Sequence, residues 1–146
     1  MTRAWVVGCA VLVDVAWVLA FAAGGRATHD ATIPLVGLAQ TAWPFLVALA
    51  LSWLASRAWR SPLGAVWPGV ALWLGTVAGG MVLRLVSGQS TTVELSFVVT
   101  TLVLLGATLL GWRLLAGWVW RRLGDRARVE TVETQNPPFR SPHPRE

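Results

Sequence analysis

The stretch AWVVGCAVLVDVAWVLAFAA, residues 4–23, decides the fold. It runs for 20 residues with a single charge, the carboxylate of Asp14. At ~1.5 Å of rise per residue, a helix of that length crosses a ~30 Å hydrocarbon layer once. Three more apolar runs follow, near residues 33–55, 65–86 and 95–115, the last uninterrupted as far as Trp112. Helices satisfy their own backbone polar groups in lipid, whereas an open sheet cannot. The expected architecture is therefore all-α, an integral membrane four-helix bundle.

Composition agrees. Of 146 residues, 55% are hydrophobic and 13% charged, too apolar a balance for an ordinary soluble surface. The chain reads as one transmembrane domain over residues 1–124 and a short tail over 125–146. The single Cys9 lies inside the first run, so no intrachain disulfide can form. The net charge of +5 does not point to nucleic acid, because the arginines gather at the ends of apolar runs and in the tail.

The connections are short and carry turn signals: Gly24-Gly25 with Pro34 beyond, Arg60-Ser61-Pro62, and Ser87-Gly88-Gln89-Ser90. Short connections imply antiparallel neighbours. One side of the bundle holds Arg3, Arg57, Arg60, Arg113, Arg121, Arg122, Arg126 and Arg128, eight in all, and the other holds Arg26 and Arg84. The positive-inside rule then puts both termini in the cytoplasm and the protein in the cell (plasma) membrane. Trp5, Trp59, Trp67, Trp112, Trp118 and Trp120 fall near the same boundary, where indoles favour headgroups. The first run reads as a retained span and not a cleaved leader, since it is long and Asp14 interrupts it.

Past Trp112 helical spacing continues through Leu114, Leu115, Trp118, Val119 and Leu123 beside Arg121 and Arg122. This segment reads as a basic helix that leaves the span, lies near the inner leaflet and meets anionic headgroups, with Arg113 snorkelling to the interface. The competing reading continues the span through Trp120 and buries Arg113, which costs several kcal/mol unless that Arg finds a partner. From Asp125 onward a proline-rich, polar composition predicts a disordered tail.

Two groups of residues can carry chemistry. A carboxylate at mid-membrane must face the bundle interior, and depth counting places Asp14, Gln40, Thr41, Thr76, Thr100 and Thr101 within about two turns of one level. Pro44 adds to this layer by depriving the carbonyl of Gln40 of its helical donor. The layer reads either as a midplane functional site or as interhelical glue that satisfies Asp14. The second group lies outward: Arg26, His29, Asp30, Arg84, Gln89 and Glu94. It reads as an anion-binding vestibule, with Arg84 facing Glu94 across a short loop, or as ordinary loop charge.

Small residues at intervals of four, Ala16, Ala20 and Gly24 in the first run and Gly75 and Gly79 in the third, mark close packing. They fit packing within one bundle, and a homodimer is compatible with them. No metalloprotease, nucleophile-elbow, phosphate-loop or dinucleotide signature occurs, and His29 and His143 are the only histidines. The expectation is a non-enzyme without cofactor or metal. The open function classes are a small-solute or proton-coupled transporter, or a subunit of one, and a non-transport structural or regulatory membrane protein.

With these residues in place the chain resembles the domain-of-unknown-function family 3054, small four-pass prokaryotic membrane proteins. The resemblance rests on Asp14, Gly25-Arg26 and His29, Trp43-Pro44-Phe45-Leu46, Trp73-Leu74-Gly75-Thr76 through Arg84, Gly88, Ser96-Phe97-Val98 and Gly111-Trp112-Arg113. It implies the fold and the membrane location and assigns no activity. A mid-span carboxylate in the first of four short spans is also similar to the small multidrug-resistance exporters. Those use Glu where Asp14 stands and lack the extension after Arg113, so that likeness is analogy only.

Overall fold

The computed structural model describes residues 2–27, 35–90, 92 and 94–135, with backbone alone for residues 26–27 and 123–135. His29, Asp30, His143 and all of residues 136–146 lie outside the described residues, as does the side chain of Arg26. Four long helices make up the fold: α1 Arg3–Ala27, α2 Leu35–Ser56, α3 Val70–Val86 and α4 Leu95–Gln135. Four helical segments, Arg3–Gly25, Leu35–Ser56, Ala65–Val86 (α3 with the turn before it) and Leu95–Arg122, are long and apolar enough to cross a membrane, so the chain is a four-pass membrane bundle. Each helix packs on two others, α1 on α2, α2 on α3, α3 on α4 and α4 back on α1, which closes the bundle.

The tightest of these seams, α2 against α3, is made by glycine. A Cβ at Gly75 would meet the Ser52 hydroxyl, one at Gly79 would stand 2.9 Å from the Ala48 Cβ, and one at Gly80 would enter the Phe45 ring. The expected packing role of Gly75 and Gly79 is thus met within one bundle, where small residues let two backbones approach. The stripe on α1 behaves differently. Ala16, Ala20 and Gly24 are exposed, and nothing lies within 4 Å of a Cβ built on Gly24. Interval-four spacing marks a face but does not say whether that face looks inward.

The third expected span begins with a kink. Pro68 has no N–H and disfavours helical dihedrals in the residue before it, and Trp67 is extended (φ −132°, ψ 124°). A π-type turn over Ala65–Gly69 therefore precedes the α-helix. After α3, Gly88 takes φ 71°, with its N–H donating to the Leu85 carbonyl and that of Gln89 to the Arg84 carbonyl. That pair of bonds is a Schellman ending, which needs a left-handed residue where Gly88 stands.

The largest departure from expectation is in α4. Its helix has no break at Trp112 and continues to Gln135. Arg113 does not snorkel to an interface: it is 0% exposed inside the bundle. Of the two readings of this segment, the structure has the burial of Arg113, and the partner that burial requires exists. The helix also continues ten residues past Asp125, where the reading expects disorder; residues 125–135 contain neither Gly nor Pro, so nothing in them stops a helix.

Candidate functional site

Asp14 and Arg113 form a buried ion pair, both side chains 0% exposed. Arg113 Nη1 donates to Asp14 Oδ1 at 2.8 Å and Nη2 to Oδ2 at 2.6 Å, the two-pronged geometry that suits guanidinium and carboxylate. Two indoles complete the shell. Trp112 Nε1 donates to Oδ1 and Trp53 Nε1 to Oδ2, each at 2.9 Å. Arg113 Nη1 also donates to the Leu109 carbonyl at 2.8 Å, and its guanidinium lies 4.6 Å from the Trp112 ring centroid. The stem of Arg113 reaches this position by crossing Gly69, where a Cβ would stand 3.3 Å from Arg113 Cδ. Only Arg113 Nε and Thr76 Oγ1 are buried without a partner among the described residues.

This arrangement replaces the expected midplane layer. Asp14 and Arg113 sit together as a closed unit, and among the remaining members of that layer Thr41 and Thr101 bond within their own helices while the Thr76 hydroxyl is buried without a partner among the described residues. The hydroxyl of Thr41 donates to the Gly37 carbonyl and that of Thr101 to the Phe97 carbonyl, each one turn back in its own helix. Thr76 and Thr101 are buried, whereas Gln40 and Thr100 are exposed. The carbonyl freed by Pro44 is satisfied from outside α2: Gln89 Nε2 donates to the Gln40 carbonyl oxygen at 2.8 Å. Trp112, expected at the interface, is turned inward onto Asp14, while Trp5, Trp59, Trp67, Trp118 and Trp120 are exposed.

Outward of the ion pair, Phe21, Phe45 and Phe97 from three helices cluster edge-to-face and tilted, with ring centroids 5.4–6.5 Å apart. Above them open two adjoining cavities of about 250 and 450 Å³. Arg84, Glu94 and Phe97 line both. Gln89 and Ser90 line the smaller cavity, whereas Phe21, Thr41, Ser96 and Thr100 line the larger, to which all four helices contribute. The structure thus brings together Arg84, Gln89 and Glu94 of the expected outer vestibule and adds Thr41 and Thr100 from the expected midplane layer. The Arg84 guanidinium lies 4.6 Å from the Phe97 ring centroid, a cation-π distance. Among the described residues, no acidic groups cluster with histidine or cysteine as a metal site would require.

Sequence reasoning missed three members of the Asp14 shell: Arg113 as a buried partner, and Trp53 and Trp112 as donors. One signal was available. The apolar stretch of α4 spans Leu95–Arg122, which puts Arg113 inside it, and a carboxylate in lipid demands a counter-charge.

Residues 11–116 match the family model described as Protein of unknown function (DUF3054), and the chain belongs to that family. No curated protein and no solved structure matches it.

Proposed function

We propose that this member of the DUF3054 family is a small-solute membrane protein of the transport class, acting alone or as a subunit, with an outward vestibule above an inner seal. One observation carries the reading: a charged and hydroxyl-lined cavity of about 450 Å³ to which all four helices contribute, on the outer side of the Asp14–Arg113 pair. That volume lies within the range of about 300–1,000 Å³ typical of small-molecule sites, which often sit between helices of a bundle. The closed ion pair then serves as the seal. A transport cycle would have to open it or pass around it. A carboxylate that is fully buried and already holds four hydrogen bonds offers no free face to a solute, so the reading moves the solute site away from Asp14.

The orientation belongs to the same proposal. With Arg113 neutralised inside the bundle, seven of the eight arginines counted at one end remain there, against Arg26 and Arg84 at the other. Arg3 Nη2 donates to the Arg60 carbonyl at 2.7 Å, so the N-terminus and the α2–α3 connection share that end. We place it in the cytoplasm of a prokaryotic cell, with Arg121 and Arg122 toward anionic headgroups of the plasma membrane. No enzymatic step is proposed.

The test is accessibility joined to flux. In a Cys9→Ser background, Ser96→Cys should react with a membrane-impermeant thiol reagent from outside the cell and be protected from it in inverted vesicles. Proteoliposomes should move one of a panel of small anions, cations or amino acids. No external labelling, or a flux screen blank throughout, rejects the transport reading. The saturation of Asp14 favours one alternative, a structural or regulatory membrane protein in which the ion pair only fixes the fold.

A further inference from the structure

We propose that Arg84 and Glu94 are the two charged poles of a site for zwitterionic solutes of amino-acid size, which deepens the vestibule reading above and rests on it. Both residues line both cavities, yet no ion pair closes between them. The Arg84 guanidinium is half-buried and donates no hydrogen bond to any described residue; its aromatic support is Phe97. The Glu94 carboxylate likewise accepts no hydrogen bond from any described residue, although its backbone carbonyl accepts from the Val98 N–H at the start of α4. A cation held over a ring, with none of its five N–H donors spent on a described residue, is prepared for a carboxylate. An anion alone would meet that group but also the negative charge of Glu94, and an amine alone would be opposed by Arg84. A solute carrying both charges, carboxylate toward Arg84 and ammonium toward Glu94, avoids either repulsion.

The remaining surfaces suit the rest of such a molecule. Phe21, Phe97 and Leu104 line the larger cavity with apolar surface for a hydrocarbon side group, and Thr41, Ser96 and Thr100 also line it. Thr41 spends its proton on the Gly37 carbonyl, so toward the cavity it presents acceptor lone pairs.

Leucine and its two charge-edited analogues, 4-methylpentanoate without the ammonium and 3-methylbutylamine without the carboxylate, provide the test. Each is titrated calorimetrically into the full chain in lipid nanodiscs. Leucine should bind at least about tenfold more tightly than either analogue, the scale of one lost charged contact. Glu94→Gln should abolish the preference for leucine over 4-methylpentanoate, and Arg84→Gln the preference over 3-methylbutylamine. Arg84→Lys keeps the charge and should retain part of that second preference. Unchanged melting without ligand confirms that the variants fold. If 4-methylpentanoate binds as tightly as leucine, the site is a plain anion site and the zwitterion proposal falls while the vestibule reading stands. If none of the three binds at millimolar concentration, the proposal is overturned, and external labelling at Ser96→Cys decides separately whether the vestibule reading falls with it.

Discussion

Asp14 of α1 and Arg113 of α4 join the first and last helices of the bundle through a two-pronged ion pair, Nη1 to Oδ1 at 2.8 Å and Nη2 to Oδ2 at 2.6 Å. Helical side chains point back along the chain, so on antiparallel helices an Asp from α1 and an Arg from α4 converge from opposite directions. The long Arg stem, passing over Gly69, covers the rest of the gap. The bundle interior is thereby cross-braced between its first and last spans, with α2 tied in through Trp53.

That bracing predicts an asymmetry among substitutions. Asp14→Asn leaves a buried guanidinium without a counter-ion and should lower stability by roughly 3–5 kcal/mol, read as a fall in the detergent melting midpoint. Arg113→Met should do comparable damage by stranding the carboxylate. The double variant Asp14→Leu/Arg113→Met removes both charges and should melt closer to the unsubstituted protein than either single variant does. An unchanged midpoint in Asp14→Asn would reject the structural role of that charge.

The indole shell can be tested separately from the ion pair. Trp53→Phe keeps an aromatic ring but deletes the donor to Asp14 Oδ2, and should cost about 1–3 kcal/mol, the usual effect of leaving a buried charged acceptor short of one partner. Trp112→Phe removes the donor to Oδ1 yet retains a ring under the guanidinium, so its loss should be the smaller. Chemical denaturation in mixed micelles, followed by the remaining tryptophans, ranks the two. The reverse order would mean that the cation-π contact adds little.

Much of the fold was legible because it depends on properties that read linearly. Apolar run length located four spans, and Pro44 identified the Gln40 carbonyl as needing an external donor, which Gln89 supplies. Gly75 and Gly79 marked the close seam with α2. The candidate site was less legible. Counting depth at 1.5 Å per residue ranks Cα atoms, and it ignores the reach of Arg113 and the opposite lean of side chains on antiparallel helices. The threonines shared a level with Asp14, but Thr41 and Thr101 satisfy themselves on their own helices and so have no need of it. Ala16, Ala20 and Gly24 failed for another reason: in a thin bundle both faces of a helix are apolar, and spacing cannot tell lipid from neighbour.

The α2–α3 seam should respond sharply to one added methyl group. Gly80→Ala drives a Cβ into the ring of Phe45, which is buried and fixed between Phe21 and Phe97. Overpacking of this kind costs about 1–3 kcal/mol. Phe45→Leu in the same chain should recover part of the loss in melting temperature, whereas Phe45→Leu alone should be destabilising. If Gly80→Ala melts normally, the seam is looser than the packing described here.

Topology is open to direct measurement. Reporter fusions after Arg60 and at Glu146 should read cytoplasmic, and fusions after Thr28 and Ser90 external. The contact of Arg3 with the Arg60 carbonyl puts the N-terminus on the same side as the fusion after Arg60. A reversal of the whole pattern would invert the proposed orientation and make the vestibule cytoplasmic.

The carbonyl of Gln40 takes its hydrogen bond from outside its own helix. Pro44 cannot supply the N–H that residue 44 of an ordinary helix would give it, and the amide of Gln89, from the connection after α3, takes that place at 2.8 Å. Gln89→Ala should therefore cost about 0.5–1.5 kcal/mol, the net value of one hydrogen bond, and loosen the rim of the smaller cavity. Pro44→Ala restores a backbone donor within α2, so the Gln40 carbonyl no longer depends on the loop. In that background Gln89→Ala should cost much less, and a double-mutant cycle on melting midpoints reads the difference as a coupling energy. Equal cost in both backgrounds would show that Gln89 acts on something other than this carbonyl. Because Pro44 is itself buried, the Pro44→Ala variant carries its own packing loss, and the cycle cancels that loss by comparing only the effect of Gln89→Ala in each background.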